Sequence, residues 1–369
     1  MIPGDGIGPE VIGQAMRALE AVAENANLDL DFEQFPLGAG HFLRTGEVLS
    51  DETVRRLEDK DAILLGAMGD PRVKPGVLEK GILLRLRFHF DQYVNLRPIK
   101  LFEGVPCPLV GEGRKIDIQF IRENTEDFYV GLGGRVAGGR SRTELALVRK
   151  AYEAKFDVGI DLNRESDLAF QIGVMSGSGA DRIVDFAFKL AKDRMIGLVT
   201  SVDKANVLTE IYGLWRETVE RKSREYGIAK EFQYVDAVAL HMVRTPERFK
   251  LIVSPNLFGD ILTDLGAAIQ GGLGFAPSGN INPSGVSMFE PVHGSAPDIT
   301  GKGLANPVGA ILSSALMLRT LDHPEEAGKI ETAVEQVLRT GKHRTADIGG
   351  TASTTEVGDA IVAKLRGAH

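Results

Sequence analysis

Short apolar runs alternate with amphipathic stretches along most of this chain. Residues 61–71 run through Ala-Ile-Leu-Leu into glycines, the pattern of a buried strand entering a turn. Residues 168–175, 196–201, 232–236 and 249–254 read as further short strands. Residues 116–129 alternate and predict one longer strand ending in a polar cluster. Apolar positions at helical spacing predict helices over 9–25, 81–90, 179–194, 237–243, 307–318, 323–339 and 355–365, and through Trp215 to about residue 226. Strands and helices interleaved in this way predict an α/β fold.

Four stretches carry less pattern. Residues 131–139 are rich in glycine and arginine and are mobile or strongly turned; 143–164 are either helical, over 144–155, or an extended arm. Residues 271–287, rich in glycine and proline, look like an interdomain crossing, with a loop at 290–299 beyond it. The opening loop places Gly4, Gly6 and Gly8 in GxGxG spacing before Pro9, whereas a Rossmann site needs GxGxxG after a strand. Neither condition is met. Only Met1 and Ile2 precede the loop, which leaves a truncated or reassigned start as the readings of that end.

Composition narrows the function. A length of 369 residues exceeds one ordinary core and predicts two α/β domains. The net charge of −8 excludes a nucleic-acid footprint, so an anionic ligand would need a few placed arginines. One cysteine, Cys107, excludes an intrachain disulfide and fits a reducing compartment. No apolar run approaches ~18 residues and no signal peptide opens the chain, so no membrane is expected and cytoplasm is the default.

The chemistry centres on residues 256–265, Asn-Leu-Phe-Gly-Asp-Ile-Leu-Thr-Asp-Leu. On a helix Asp260 and Asp264 share a face, where two like charges cost roughly 0.2–0.5 kcal/mol if exposed and more if buried. A hard cation removes that cost; the plain alternative is a dipole-complementing Asp and a solvated one. Arg87 and Arg97 flank the 81–98 unit, and Arg97, before a proline, is held extended. Arg122 and Tyr129 stand at the end of the 116–129 strand, where α/β ligand sites form. Lys204 follows another strand, and Asp236 opens a helix. His89, between two phenylalanines, reads as a core or surface-edge residue rather than a ligand.

Five motifs, NLRP at Asn95, REN-TE at Arg122, VDKANVL at Val202, NLFGDILTDL at Asn256 and EPVHGSAPDI at Glu290, resemble the β-decarboxylating dehydrogenases of 3-isopropylmalate, isocitrate, homoisocitrate and tartrate or D-malate. The resemblance runs from Gly4 to the last helix. It implies a two-domain isopropylmalate/isocitrate dehydrogenase-like α/β fold with a non-Rossmann cofactor site, assembled as a homodimer with shared active sites. A discontinuous cofactor-side domain (1–91 plus 271–369) would enclose a metal, substrate and dimerisation domain (92–270).

The implied chemistry is oxidation of a malate-type 2-hydroxy acid by NAD, followed by loss of its β-carboxylate as CO₂. By resemblance Asp260 and Asp264, with Asp236 from the partner, hold Mg²⁺ or Mn²⁺; Arg87, Arg97 and Arg122 clamp carboxylates; Lys204 is the partner's base; Tyr129 protonates the enolate. His293, Gly294, Ser295, Ala296, Asp298 and Asn306 match the adenosine-side loop, and a carboxylate at Asp298 favours NAD over NADP. Leu83 and Val207 are the expected apolar contacts of the C3 substituent, which places 3-isopropylmalate first, D-malate or tartrate second and isocitrate last. A silent regulatory subunit and a non-catalytic dicarboxylate binder are the alternatives from other classes. Neither requires Tyr129, Lys204 and the three aspartates together.

Overall fold

The structure, a computed structural model, describes residues 1–111, 113–163 and 166–367; residues 164, 165, 368 and 369, where the expectations for the 137–165 segment and for the last domain end, lie outside them. Nine strands form one sheet, ordered β1 (Ile2–Gly4), β2 (Ala62–Ala67), β13 (Ser287–Pro291), β12 (Pro277–Ile281), β3 (Val94–Lys100), β4 (Asp117–Glu123), β11 (Leu251–Ser254), β9 (Leu198–Asp203) and β10 (Ala229–Tyr234). The pairs on either flank are parallel, whereas β13–β12, β12–β3 and β3–β4 in the centre are antiparallel. The antiparallel centre is where the chain passes between the two halves of the sheet, once after residue 91 and again after 270.

One half is covered by α1 (Gly8–Ala26), α9 (Val308–Thr320), α10 (Pro324–Thr340) and α11 (Thr354–Leu365). Helix α9 is buried from Val308 to Leu318 and so is apolar around its whole circumference. The other half carries α5 (Gly177–Asp193), α6 (Thr209–Tyr226), α7 (Val235–Arg244) and α8 (Asn256–Ile269). There Trp215 is fully buried, with its indole donating to Ser201 Oγ at 2.9 Å, so a large apolar side chain costs no unmatched donor.

Several expectations change. A strand does precede the glycine loop: β1, three residues long, pairs with β2. Residues 116–129 form two strands, because β4 stops at Glu123 and β5 (Asp127–Val136) starts after a break. From Ile118 to Glu123 β4 is buried on both faces, as a central strand covered by helices must be, rather than alternating. Residues 271–287 contain β12, buried throughout, with Pro277 at its first position, where a ladder donor is least needed. The expected loop at 290–299 begins inside β13. Helices α2 (Ala39–Thr45) and α3 (Asp51–Glu58) are additional; the second carries a cap visible in the sequence, Ser50 Oγ accepting from Thr53 N at 3.0 Å.

Within the 143–164 stretch, residues 143–149 and 152–162 are extended, not helical. Strands β6 (Gly139–Arg149) and β7 (Tyr152–Leu162) form a hairpin, lying against a second pair, β5 and β8 (Leu168–Val174). Leu147 and Leu132 meet between the pairs. Exposed ion pairs Arg140–Asp161 and Arg142–Asp157 line the hairpin's outer part. The predicted 81–90 helix is instead a wide π-turn over Glu79–Leu84, continued by α4 (Arg85–His89).

Candidate active site

The carboxyl ends of the central strands and the start of α8 enclose a cleft of about 350 Å³. Its lining includes Leu83, Leu84, Arg87, Arg97, Arg122, Tyr129, Asp260 and Glu290. They come from the 79–84 turn, α4, β3, β4, β5, α8 and β13, so the site gathers several elements beside the open α/β sheet.

Arg122 sits at the centre, 2% exposed. Its Nε donates to the Asn256 backbone and side-chain oxygens at 3.0 Å, Nη2 donates to Asn256 Oδ1 at 2.7 Å, and Nη1 makes a very short contact with Asp260. Residue 259 is glycine for this reason: a Cβ there would stand 2.6 Å from Arg122 Cγ. Tyr129 donates to Asp260 Oδ2 at 2.6 Å, with the Arg122 guanidinium over its ring. Arg97 spans the helix face, 3.5 Å from Asp260 and 3.7 Å from Asp264, while Nη1 donates to Thr263 Oγ1 at 2.7 Å.

These charges act on one another. Burial raises the Asp260 carboxyl, but Arg122, the Tyr129 hydroxyl and Arg97 outweigh it and hold the group below the usual carboxylate range. Asp264, with Arg97 as its nearest cation and Asp260 one turn away, is raised by burial. Arg87 and Arg97 are both pushed down to about 10, by burial first and then by Arg122. Three converging guanidiniums, with Nε of Arg87 and Arg97 buried and unpartnered, make a strong receptor for carboxylates. Burial and the bond to Asp260 raise the Tyr129 hydroxyl, so it keeps its proton until a strong base takes it.

Lys204 and Asp236 are not in this cleft. They touch each other elsewhere on the same chain, where Asp236 is 67% exposed and Lys204 lowers its pKa by hydrogen bonding. Val207, 66% exposed, is likewise outside the lining. Among the described residues no three His, Cys, Asp or Glu side chains stand close enough to hold a metal. One chain therefore brings together Arg87, Arg97, Arg122, Tyr129, Asp260 and Leu83, but not Lys204, Asp236 or Val207.

The opening glycine loop meets the 293–298 loop beside the cleft. Ile7 N donates to Ser295 O at 2.9 Å, and a Cβ on Gly6 would lie 1.9 Å from that oxygen. Ala296 adopts φ 42° in this turn. His293 Nε2 is buried without a partner, and burial lowers its pKa. Asp298 is exposed with its carboxylate free, while Asn306 is tied to Asp347 at 3.0 Å and accepts from Val308 N at 3.1 Å. His89 is a surface-edge residue against Glu58 at 2.6 Å.

Glu290 and Glu79 were missed by sequence reasoning. Glu290 lies near the end of β13, where a loop was expected, and Glu79 lies two residues before the expected helix start. Both add negative charge, with that of Asp260, beside the three arginines. The π-turn explains Glu79: at its wider spacing residue 79 stacks over Leu84, facing the same space as Leu83 and Arg87.

The isocitrate/isopropylmalate dehydrogenase family profile matches residues 1–361. The chain is 46% identical to a 3-isopropylmalate dehydrogenase of Clavibacter michiganensis subsp. michiganensis, covering 100% of this chain and 98% of the relative. It is 44% identical to the 3-isopropylmalate dehydrogenase of Thermobifida fusca, over 99% and 96% of the two chains. Among solved structures it resembles an isocitrate dehydrogenase from Methylococcus capsulatus, with a TM-score of 0.84, 32% identity and 99% and 98% coverage.

Proposed function

Since the chain belongs to the isocitrate/isopropylmalate dehydrogenase family, we propose that it converts 3-isopropylmalate to 4-methyl-2-oxopentanoate and CO₂ with NAD, the oxidative decarboxylation of leucine biosynthesis. One observation carries the choice of substrate. Leu83 and Leu84 form an apolar wall immediately beside the Arg87, Arg97 and Arg122 cluster. Arg85, the charge that would spoil this wall, is turned away to Asp51 and the Leu49 carbonyl. A third carboxylate against leucine would lose hydration without a partner, at a cost of several kcal/mol. An isopropyl group gains roughly 1–3 kcal/mol there over a smaller alkyl group.

In this reading the three arginines hold the substrate's carboxylates and fix its orientation. Asp260 and Asp264 offer hard oxygen donors one helical turn apart, a donor set that suits Mg²⁺ or Mn²⁺ once Asp236 from a second copy of the chain completes it. Bound there, the cation supplies the positive charge that acidifies a hydroxyl and steadies an enolate. Lys204 of the second copy would take the proton from the substrate's hydroxyl oxygen, NAD when bound would accept the hydride from the carbon bearing that oxygen, and Tyr129 would return a proton to the carbon that loses CO₂. The His293–Asp298 loop and Asn306 hold the adenosine end, with the free Asp298 carboxylate accepting from ribose hydroxyls and repelling a 2′-phosphate. The two halves of the sheet act as lobes, 1–91 with 271–369 against 92–270. The homodimer, with Val207 reaching across, works in the cytoplasm.

The test is kcat/KM for 3-isopropylmalate, D-malate, tartrate and isocitrate with each coenzyme under one condition. 3-Isopropylmalate with NAD is expected to lead; isocitrate in first place would overturn the apolar-wall argument.

A further inference from the structure

The long hairpin β6–β7 adds no residue to the lining of the cleft, yet its tip is anchored to the body of the chain. Its outer residues are solvated, with Arg140 and Arg142 paired to aspartates at the surface. A two-stranded ribbon is marginal in water by itself, so a free tip would be expected to fray. Instead the tip, turning at Lys150 and Ala151, folds back onto its own chain. The Arg149 guanidinium lies 4.2 Å over the Phe88 ring, and its Nε donates to Thr125 O at 2.9 Å. Tyr152, opposite Arg149 in the hairpin, faces the Glu126 carboxyl. Glu126 is itself held by Ser176 N at 2.8 Å and Ser176 Oγ at 2.6 Å.

The two surfaces that Arg149 touches belong to different halves of the molecule. Phe88 follows Arg87 on α4, and its neighbours Leu86 and Phe90 are rooted in the cluster around Ile2, Phe35 and Ile63. Thr125 lies in the break between β4, which carries Arg122, and β5, which carries Tyr129. One side chain therefore touches both α4, which carries Arg87, and the break beside Arg122 and Tyr129.

We propose that the hairpin tip sets the spacing of the substrate clamp, with Arg149 as a positioning residue for Arg87 on one side and for Arg122 and Tyr129 on the other. The proposal rests on the reading of those arginines as the carboxylate receptor. Arg149 stays clear of substrate; it fixes where α4 stands relative to the 124–126 break. Stacking on Phe88 requires a planar cation, and the bond to Thr125 requires a donor on that same plane, a combination that arginine offers and lysine does not.

The experiment compares the full-length wild type with Arg149→Ala, Arg149→Lys and Phe88→Leu. Hydrogen–deuterium exchange without substrate reads residues 79–90 and 122–129, and steady-state kinetics separate KM for the hydroxy acid from KM for NAD. Faster exchange in both segments is expected for Arg149→Ala, together with a rise of roughly ten- to a hundredfold in KM for the hydroxy acid. KM for NAD and Tm stay near wild type, Arg149→Lys recovers part of the loss, and Phe88→Leu reproduces it. Unchanged exchange in both segments for Arg149→Ala overturns the proposal. So does a parallel loss of both KM values and Tm, which would mark a purely structural role. Should the wild type turn over no malate derivative, the functional reading fails by itself, while the exchange comparison still decides whether the tip couples the two segments.

Discussion

Arg122 is 2% exposed and its donors are committed to Asn256 and Asp260, whereas Asp236, 67% exposed, meets only Lys204 at the surface. Both are charged groups of the same proposed site, held in opposite ways. The buried cluster is assembled by the fold of one chain, since removing charge from water is tolerated only with hydrogen bonds already in place. The exposed pair is solvated, exchanges readily and contributes little to one chain's stability. That difference is what a site shared between two copies requires: a receptor prebuilt in each chain, and a base and third metal ligand free to meet another surface. The exposed apolar residues Val207, Leu240, Val243 and Ile261 fit the second role.

The largest break in this contrast should come from Asp260, which is half-buried against Arg122 and is also a proposed metal donor. Asp260→Asn is expected to lower kcat/KM by more than about a hundredfold, beyond the 10–100-fold usual for groups that merely support a ligand. Excess Mg²⁺ or Mn²⁺ should restore part of it. Turnover undiminished in excess EDTA would remove the metal from the account.

Complementation separates the two sets directly. Lys204→Met and Tyr129→Phe chains should each be nearly inactive, and mixed chains should regain activity after subunit exchange, because some hybrids hold one intact site. If exchange is verified by mass spectrometry and no activity returns, the site lies within one chain.

Stability measurements sharpen the comparison without activity. Arg122→Leu leaves Asp260 and Asn256 facing an apolar group and should cost about 3–5 kcal/mol by denaturant unfolding. Asp236→Asn should leave the unfolding midpoint of the chain unchanged while abolishing turnover. Equal losses from the two would mean that the surface pair is structural.

The smallest effect tests the cost of the buried set. Asp127, two residues before Tyr129, accepts from Leu257 N at 2.8 Å and so caps α8 from a neighbouring strand. Burial raises its carboxyl to about 6. A folded-state pKa above the unfolded value means that the protonated form favours folding, so this contribution is full at low pH and lost as pH rises through about 6. Asp127→Asn keeps an acceptor for Leu257 and cannot ionise. The fall in stability from about pH 4 to pH 7 should flatten by on the order of 1–3 kcal/mol. An unaltered slope would show that another group sets it.

Much of this was legible in the residues alone. Period-3.6 apolar spacing placed α1, α5, α10 and α11 nearly to their ends, because a helix with one buried face declares its stripe within two turns. Asp260 and Asp264 could be placed on one helical face for the same local reason, and the five motifs identified the family to which the chain belongs. Tertiary structure was needed where the cause is not local. β12 reads as a glycine–proline loop until Phe289 and Leu316 are seen against Gly279. The 143–164 stretch suits a helix or an arm equally in sequence, and its residues 143–149 and 152–162 are extended because β5 and β8 offer them an apolar face. No spacing foretold that Arg122 would bury itself against Gly259, that Arg149 would reach Phe88, or that Lys204 and Asp236 would stand outside the cleft. Those outcomes depend on which distant surfaces meet, and that is settled by packing and desolvation across the whole chain rather than by the neighbours of any one residue.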